Sequence, residues 1–360
     1  MNDDPASGSQ AADAGLGATV TSAKAGACPG PPVAPQERRG MPTSLTHANA
    51  QALKVRAAEL GFDACGVASV SAEADDGFDA WLEAGFHADM DWIARTRDLR
   101  QQVGLKLPGA QSVVVVARNY HAPRPEAPPG TGRVSCYAWG RDYHRTLIKP
   151  LRQLVVFLDG LESGAQSYAS TDSGPVRERA WAARAGIGWV GKHSLIIHPE
   201  LGSWFFLGTV LTTVALAPDA PMEERCGACR ACTDACPTGA IVAPRTVDAR
   251  RCIAYHSIEN KGAIPDAVAA GMGGQVFGCD VCQQACPWNR APRVTDCADF
   301  LPRPNVANPP LDRLIAGDTA WFDATFNGTP VRRAGLEGMR RNAILARKAL
   351  DAASQSRHSG

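Results

Sequence analysis

Apolar positions along the chain mark a first unit of alternating elements. HANAQALKVRAAELGF (residues 47–62) places Leu53, Ala57 and Leu60 on one helical face, and Gly61 supplies the stop. ACGVASV (64–70) reads as a strand. SVVVVARNY (112–120) is a continuous β-branched run, the pattern of a strand covered on both faces. LIKPLRQLVVFLDGL (147–161) carries Leu147, Leu151, Leu154, Leu158 and Leu161 as a helical stripe, with Pro150 expected near its start or at a kink. RERAWAARAG (177–186) is a short helix, and HSLIIH (193–198) and WFFLGTVLTTVAL (204–216) are strands. The mixture predicts an α/β (α+β, mixed-sheet) domain in which helices cover a sheet.

Beyond residue 220 the hydrophobic pattern weakens and cysteine takes over. CGACRACTDACP places Cys226, Cys229, Cys232 and Cys236 in the spacing C-x2-C-x2-C-x3-C-P. That is the bacterial ferredoxin run, whose fourth cysteine serves the other cluster of a pair. A second run is therefore required, and GCDVCQQACP supplies Cys279, Cys282 and Cys286. It is one cysteine short, and Cys252 is the natural substitute. The expected partition gives one [4Fe–4S] cluster to Cys226, Cys229, Cys232 and Cys286. The second takes Cys236, Cys252, Cys279 and Cys282. Zinc also accepts four thiolates, but eight cysteines with two Cys-Pro endings fit paired cubanes. Cys28, Cys65, Cys136 and Cys297 are left over, with burial as their default role. Such ligation needs a reducing compartment, so a cytoplasmic protein is expected.

Composition bounds the rest. The chain has 360 residues, 45% hydrophobic, and a net charge of +1. That length is enough for two or three packed domains, and the charge projects no strong field toward nucleic acid or membrane. No apolar run is long enough to cross a bilayer. The Ala-, Gly-, Pro- and Ser-rich start reads as a disordered extension over 1–41, with Met41 a candidate start. The remaining expected divisions are a catalytic domain over 42–220, a ferredoxin-like domain over 221–300 and a short helical tail over 301–360. A two-cluster electron carrier would need only the second of these.

Two motifs are incomplete. GIGWVGKH (186–193) matches a P-loop until His193 replaces the hydroxyl residue, and it follows a helix instead of a strand. DYHRTL (142–147) begins like the D-x-H-x-x-G loop whose histidine ligates cobalamin, but the glycine is absent, so no histidine ligand is expected here.

Taken together, the cysteine runs, WGRDYH (139–144), TDSGPVRERAWAARAGIGWVGKHS (171–194) and NGTPVRRAGLEGMRRN (327–342) resemble epoxyqueuosine reductase over roughly residues 45–345. The resemblance implies a cobalamin-binding first domain and two [4Fe–4S] clusters. The implied reaction reduces the epoxide of epoxyqueuosine at the tRNA wobble position to queuosine, with electrons from an external donor. It implies Asp172 as proton donor, within a D-[TS]-G segment that has Ser173 where threonine is usual. Burial beside the corrin would keep that carboxyl protonated. Cobalamin contacts are expected from Arg97, Asp142, Tyr143, His144, Asp172, Lys192, His193, His256 and Ser257. Helix capping by Asp142 is the plain alternative. Arg332, Arg333, Arg340, Arg341, Arg347 and Lys348 face only Glu337 and Asp351 in the local sequence. They are either a phosphate-binding patch or a solvated helix face. A monomer without the helical-repeat extension of longer relatives is expected. The alternatives are a corrinoid iron–sulfur reductase of a small molecule such as an organohalide, and a plain electron-transfer ferredoxin.

Overall fold

A computed structural model describes residues 44–72 and 76–358. The expected extension over 1–41 and Cys28 lie outside the described residues. The first unit comprises α1 (Leu45–Glu59), β1 (Ala64–Ser69), β2 (Ser112–Asn119), α2 (Tyr143–Asp159), β3 (Ser167–Ser170), α3 (Glu178–Arg184) and β4 (Phe205–Thr212). The strands form one sheet in the order β1-β2-β4-β3. All three pairings are antiparallel, with Ala64 opposite Ala117, Ser112 opposite Thr212 and Ser170 opposite Thr209.

The valine run explains the layering. Successive side chains of a strand point to opposite faces. Val114 and Val116 join one core with Leu53 and Ala57 of α1 and the leucine stripe of α2. Val113, Val115 and Ala117 join another with Trp181 and Ala182 of α3 and with Val103 and Leu107. A central strand with helices on both sides needs this unbroken run even in an antiparallel sheet. Pro150 lies inside α2, where its ring removes one backbone bond. Gly66 lets β1 meet the end of α3: a Cβ there would stand 2.0 Å from the Ala185 carbonyl oxygen. The segment between β1 and β2 carries four helices of four to six residues, beginning at Phe78–Glu83, which have no sequence periodicity long enough to reveal them.

In the cysteine-rich unit, one-turn helices Ala231–Ala235 and Val281–Gln284 lie within the two cysteine runs. Cys252 precedes the helix Ile253–Ile258. The strand Gln275–Phe277 pairs in parallel with Arg133–Val134 and so joins this unit to the first.

The helical tail expected over 301–360 packs, in its described residues, into the main core. Leu311, Phe322, Phe326, Met339 and Ala346 belong to the same apolar cluster as α1 and α2. The final helix, Gly335–His358, also grips the cysteine-rich unit. Asn342 donates to the carbonyls of Ser257 and Val276, and Arg341 donates to those of His256 and Asn260.

One prediction follows from the layering. Leu154 is fully buried in the first core, whereas its near neighbour Val156 is 74% exposed. Leu154→Ala should cost about 2–5 kcal/mol, and Val156→Ala less than about 0.5 kcal/mol. Denaturant unfolding of the two variants under identical conditions tests this; equal losses would refute the assignment of the leucine stripe.

Candidate active site and cluster ligands

Asp172 follows β3 by two residues, and Thr171 fixes the approach by donating from its hydroxyl to the Leu207 carbonyl on β4. Asp172 adopts φ 54°, the left-handed region that aspartate tolerates better than most residues. Its N–H donates to Glu178 Oε1 at 2.7 Å. Glu178 is the first residue of α3, so the helix that closes one core also holds the strained loop. Burial of the Glu178 carboxyl, with the charge of Asp172 beside it, pushes its pKa well above the usual carboxylate range. Sequence reasoning missed Glu178; its place six residues after Asp172, opening a helix, is the only local signal.

The Asp172 side chain is 64% exposed, so the protein atoms alone do not supply the burial expected of it. Tyr143 Oη donates to Asp172 Oδ2 at 2.5 Å, and His144 Nε2 stands 3.7 Å from the same oxygen. Burial raises the Tyr143 pKa, and Asp172 raises it further. Burial pulls the His144 pKa down, but the carboxylates of Asp142 and Asp172 outweigh it and hold the value up. Tyr137, Arg100, Arg179 and Arg333 are also close enough to feel the Asp172 charge. Tyr143 stacks on Phe206 of β4 with ring centroids 4.4 Å apart, giving the carboxylate an aromatic wall. Beyond Arg333 lies a cavity of about 280 Å³ lined by Met90, Trp92, Tyr255, Glu259 and Lys261 among others.

The other expected cofactor contacts separate into groups. Asp142 caps α2 by accepting from the His144 N–H, and its Oδ1 also meets His144 Nδ1 at 2.7 Å. Arg97 is paired with Asp79 and Glu83. His256 and Ser257 are buried with their side chains engaged: His256 by the Arg250 carbonyl and the Asn260 amide, Ser257 by the Ile253 carbonyl and the Gly278 N–H. Lys192 and His193 line the cavity of the first cysteine run. The Lys192 ammonium donates to the carbonyls of Gly227 (2.6 Å) and Cys229 (2.8 Å).

Cys226, Cys229, Cys232 and Cys286 line one cavity together with Lys192, His193 and Trp288. The remaining four expected ligands neighbour one another: Cys252 is influenced by Cys236, and Cys279 by both. Burial, reinforced by these neighbours, pushes the thiols of Cys252 and Cys286 up to about 11 and that of Cys279 up to about 12. Two sets of four mutually opposed thiols fit groups that bring positive charge to each. Among the described residues no three His, Cys, Asp or Glu side chains converge as they would on one metal ion. Cys65 and Cys136 are left in the first unit, where burial pushes both thiols up to about 12.

Four arginines of the basic run near the C-terminus are ion-paired, three of them with acids from elsewhere in the chain. Arg332 pairs with Asp323, Arg333 with Glu259, Arg340 with Glu337 and Arg347 with Asp312. Arg341 is committed to backbone carbonyls. These arginines are therefore not a face of unpaired cations.

Known proteins match the chain along most of its length. The profile of the family described as "Epoxyqueuosine reductase QueG, DUF1730" matches residues 100–173, and that of the "4Fe-4S double cluster binding domain" matches residues 225–289. The chain is 43% identical to the epoxyqueuosine reductase of Gloeobacter violaceus over 314 residues, covering 84% of this chain and 96% of that protein. It is 42% identical to the Escherichia coli epoxyqueuosine reductase over 304 residues, covering 82% and 80% respectively. A crystal structure of epoxyqueuosine reductase with an epoxyqueuosine-modified tRNA-Tyr stem loop superposes with a TM-score of 0.75 at 32% identity, covering 84% of this chain and 82% of that one. With the double-cluster unit, the Asp172 loop and homology along most of its length, this chain belongs to the epoxyqueuosine reductase family.

Proposed function

We propose that Asp172 is the proton donor in the reduction of tRNA-borne epoxyqueuosine to queuosine, in a site fed by two [4Fe–4S] clusters held by the cross-paired cysteines. Family membership supplies the reaction, and the relative solved with a modified stem loop supports tRNA as the partner. The observation that carries the residue assignment is the convergence on Asp172. One carboxylate oxygen is shared by Tyr143 and His144, while Glu178 holds the backbone behind it.

The balance of the reaction defines what the residues must do. Turning an epoxide into an alkene takes two electrons and two protons and releases the oxygen as water. The bound clusters supply electrons one at a time, and cobalamin supplies a centre able to hold them beside the substrate. The polypeptide binds, orients and delivers protons. Asp172, exposed at the end of its loop, can give a proton to the departing oxygen. Tyr143 Oη and His144 Nε2 stand next in line to restore it. Bound substrate and cofactor would exclude water from around the carboxyl and commit its proton to the departing oxygen. The aromatic wall of Tyr143 and Phe206, with a polar rim at Arg100 and Arg333, suits a flat macrocycle with an amide fringe. His144 is poorly placed as a cobalt ligand, because its Nδ1 is held by Asp142 and its Nε2 faces Asp172.

Three outcomes are expected. Asp172→Asn should keep both clusters and lose about 10²–10⁴-fold in single-turnover rate with pre-reduced enzyme and epoxyqueuosine-containing tRNA; a wild-type rate would assign the proton to another group. Cys252→Ala should lower the iron content from about eight toward about four per chain, while Cys297→Ala leaves it alone. Iron unchanged in Cys252→Ala would sink the partition. Cob(II)alamin bound to protein carrying 15N-histidine should show an electron paramagnetic resonance spectrum identical to that with 14N-histidine. A label-dependent splitting would demonstrate a protein imidazole on cobalt.

A further inference from the structure

The segment that imitates a P-loop has a different role in this fold. Trp189–Val190 and Ile196–Ile197 pair as a two-stranded hairpin, and its turn carries Lys192 and His193. The hairpin lies over the first cysteine run. Trp189 packs edge-on against Trp288 at 4.9 Å, and Trp189 and Ile197 share an apolar cluster with Cys226 and Cys286. Gly191 is needed for this seating: a Cβ there would stand 2.9 Å from His193 Cε1 and 2.6 Å from Ile197.

His193 is 4% exposed. Its Nδ1 accepts a hydrogen bond from the Leu195 N–H at 3.2 Å. An accepting Nδ1 fixes the neutral tautomer with the proton on Nε2. That Nε2 is buried without a hydrogen-bond partner, and the ring lines the cavity formed by Cys226, Cys229, Cys232 and Cys286. A buried donor left unpaired is destabilising, and the cavity that His193 lines is where an acceptor would meet it. Lys192 does not take this role with the two bonds the structure gives it, since both go to backbone carbonyls.

We propose that His193 Nε2–H donates a hydrogen bond to a sulfur of the cluster held by Cys226, Cys229, Cys232 and Cys286, and so raises that cluster's reduction potential. The inference rests on the cluster assignment above and goes beyond it, because it names a positioning residue that no ligand motif contains. The physical reason is charge. Reduction adds one electron, much of whose density falls on sulfur, so a donor stabilises the reduced state more than the oxidised one. The same hairpin lies between α3, which supports Asp172, and the cluster cavity. A change in this bond would therefore alter the driving force for electrons leaving the cluster without touching the proton donor.

Redox titration monitored by electron paramagnetic resonance tests this on the intact protein. His193→Phe keeps a ring of similar size and removes the donor. It should retain about eight irons. One of the two cluster couples should move negative, by about 59 mV for a tenfold relative loss of reduced-state stabilisation, and the other should stay in place. Two unmoved couples at full iron content would overturn the proposal. A second measurement covers a variant that fails to assemble. Reduced wild-type protein labelled with 15N-histidine should show, by electron–nuclear double resonance, a 15N coupling and a solvent-exchangeable proton on one cluster. Absence of both would overturn the proposal. Wild-type protein with no cluster on the four cysteines would overturn the ligand assignment itself, an outcome separable from the others by iron content.

Discussion

Bringing thiols together in a poorly hydrated space is the constraint on which the arrangement depends. Cys252, Cys279 and Cys286 lose solvation, and their thiolates repel the neighbouring cysteines, as their raised values express. Iron–sulfur clusters remove that cost, and in this account they do so across the chain. With the partition proposed above, the last cysteine of each run serves the cluster of the other, and neither run closes without its partner. The Cys-Pro endings then set where the chain leaves each cluster, and the helix beginning after Cys252 is fixed by the same interlock. The final helix locks this arrangement to the sheet domain through Arg341 and Asn342.

The sheet domain contributes rigidity at one point. β2 is buried on both faces, and the strands beyond it carry the two ends of the site: its antiparallel neighbour β4 supplies Phe206 beneath Tyr143, and β3, paired to β4, leads into Asp172. Asp172 itself sits in a strained left-handed conformation held by Glu178. Strain of this kind is sustained by well-packed surroundings, and here α3 provides them by inserting Trp181 and Ala182 into the second core. An exposed carboxylate on a fixed loop, beside a tyrosine and a histidine, is suited to giving a proton to a large substrate that approaches from solution.

Much of this was legible in the sequence because the signals are local. Cysteine spacing announces clusters within a dozen residues, and the leucine stripe and valine run announce a helix and a central strand. What was not legible are the surroundings of residues whose partners come from far along the chain. Arg332, Arg333 and Arg347 look like an open basic face until Asp323, Glu259 and Asp312 fold against them. Lys192 and His193 belong by sequence to the catalytic domain, and only the hairpin fold turns them onto the cysteines. His256 and Ser257 follow a ligand cysteine but are satisfied inside their own unit. Glu178 could not be separated from an ordinary first-turn acid, because its role depends on the backbone direction of Asp172.

The claim that joins these parts is that the chain removes the epoxide oxygen of epoxyqueuosine in tRNA. The most direct measurement is the tRNA nucleoside profile, by liquid chromatography and mass spectrometry, of a strain lacking this reductase activity and supplied with the gene for this chain. The account predicts that epoxyqueuosine disappears and queuosine takes its place. Persistence of epoxyqueuosine, with the protein present and its iron content intact, would contradict it.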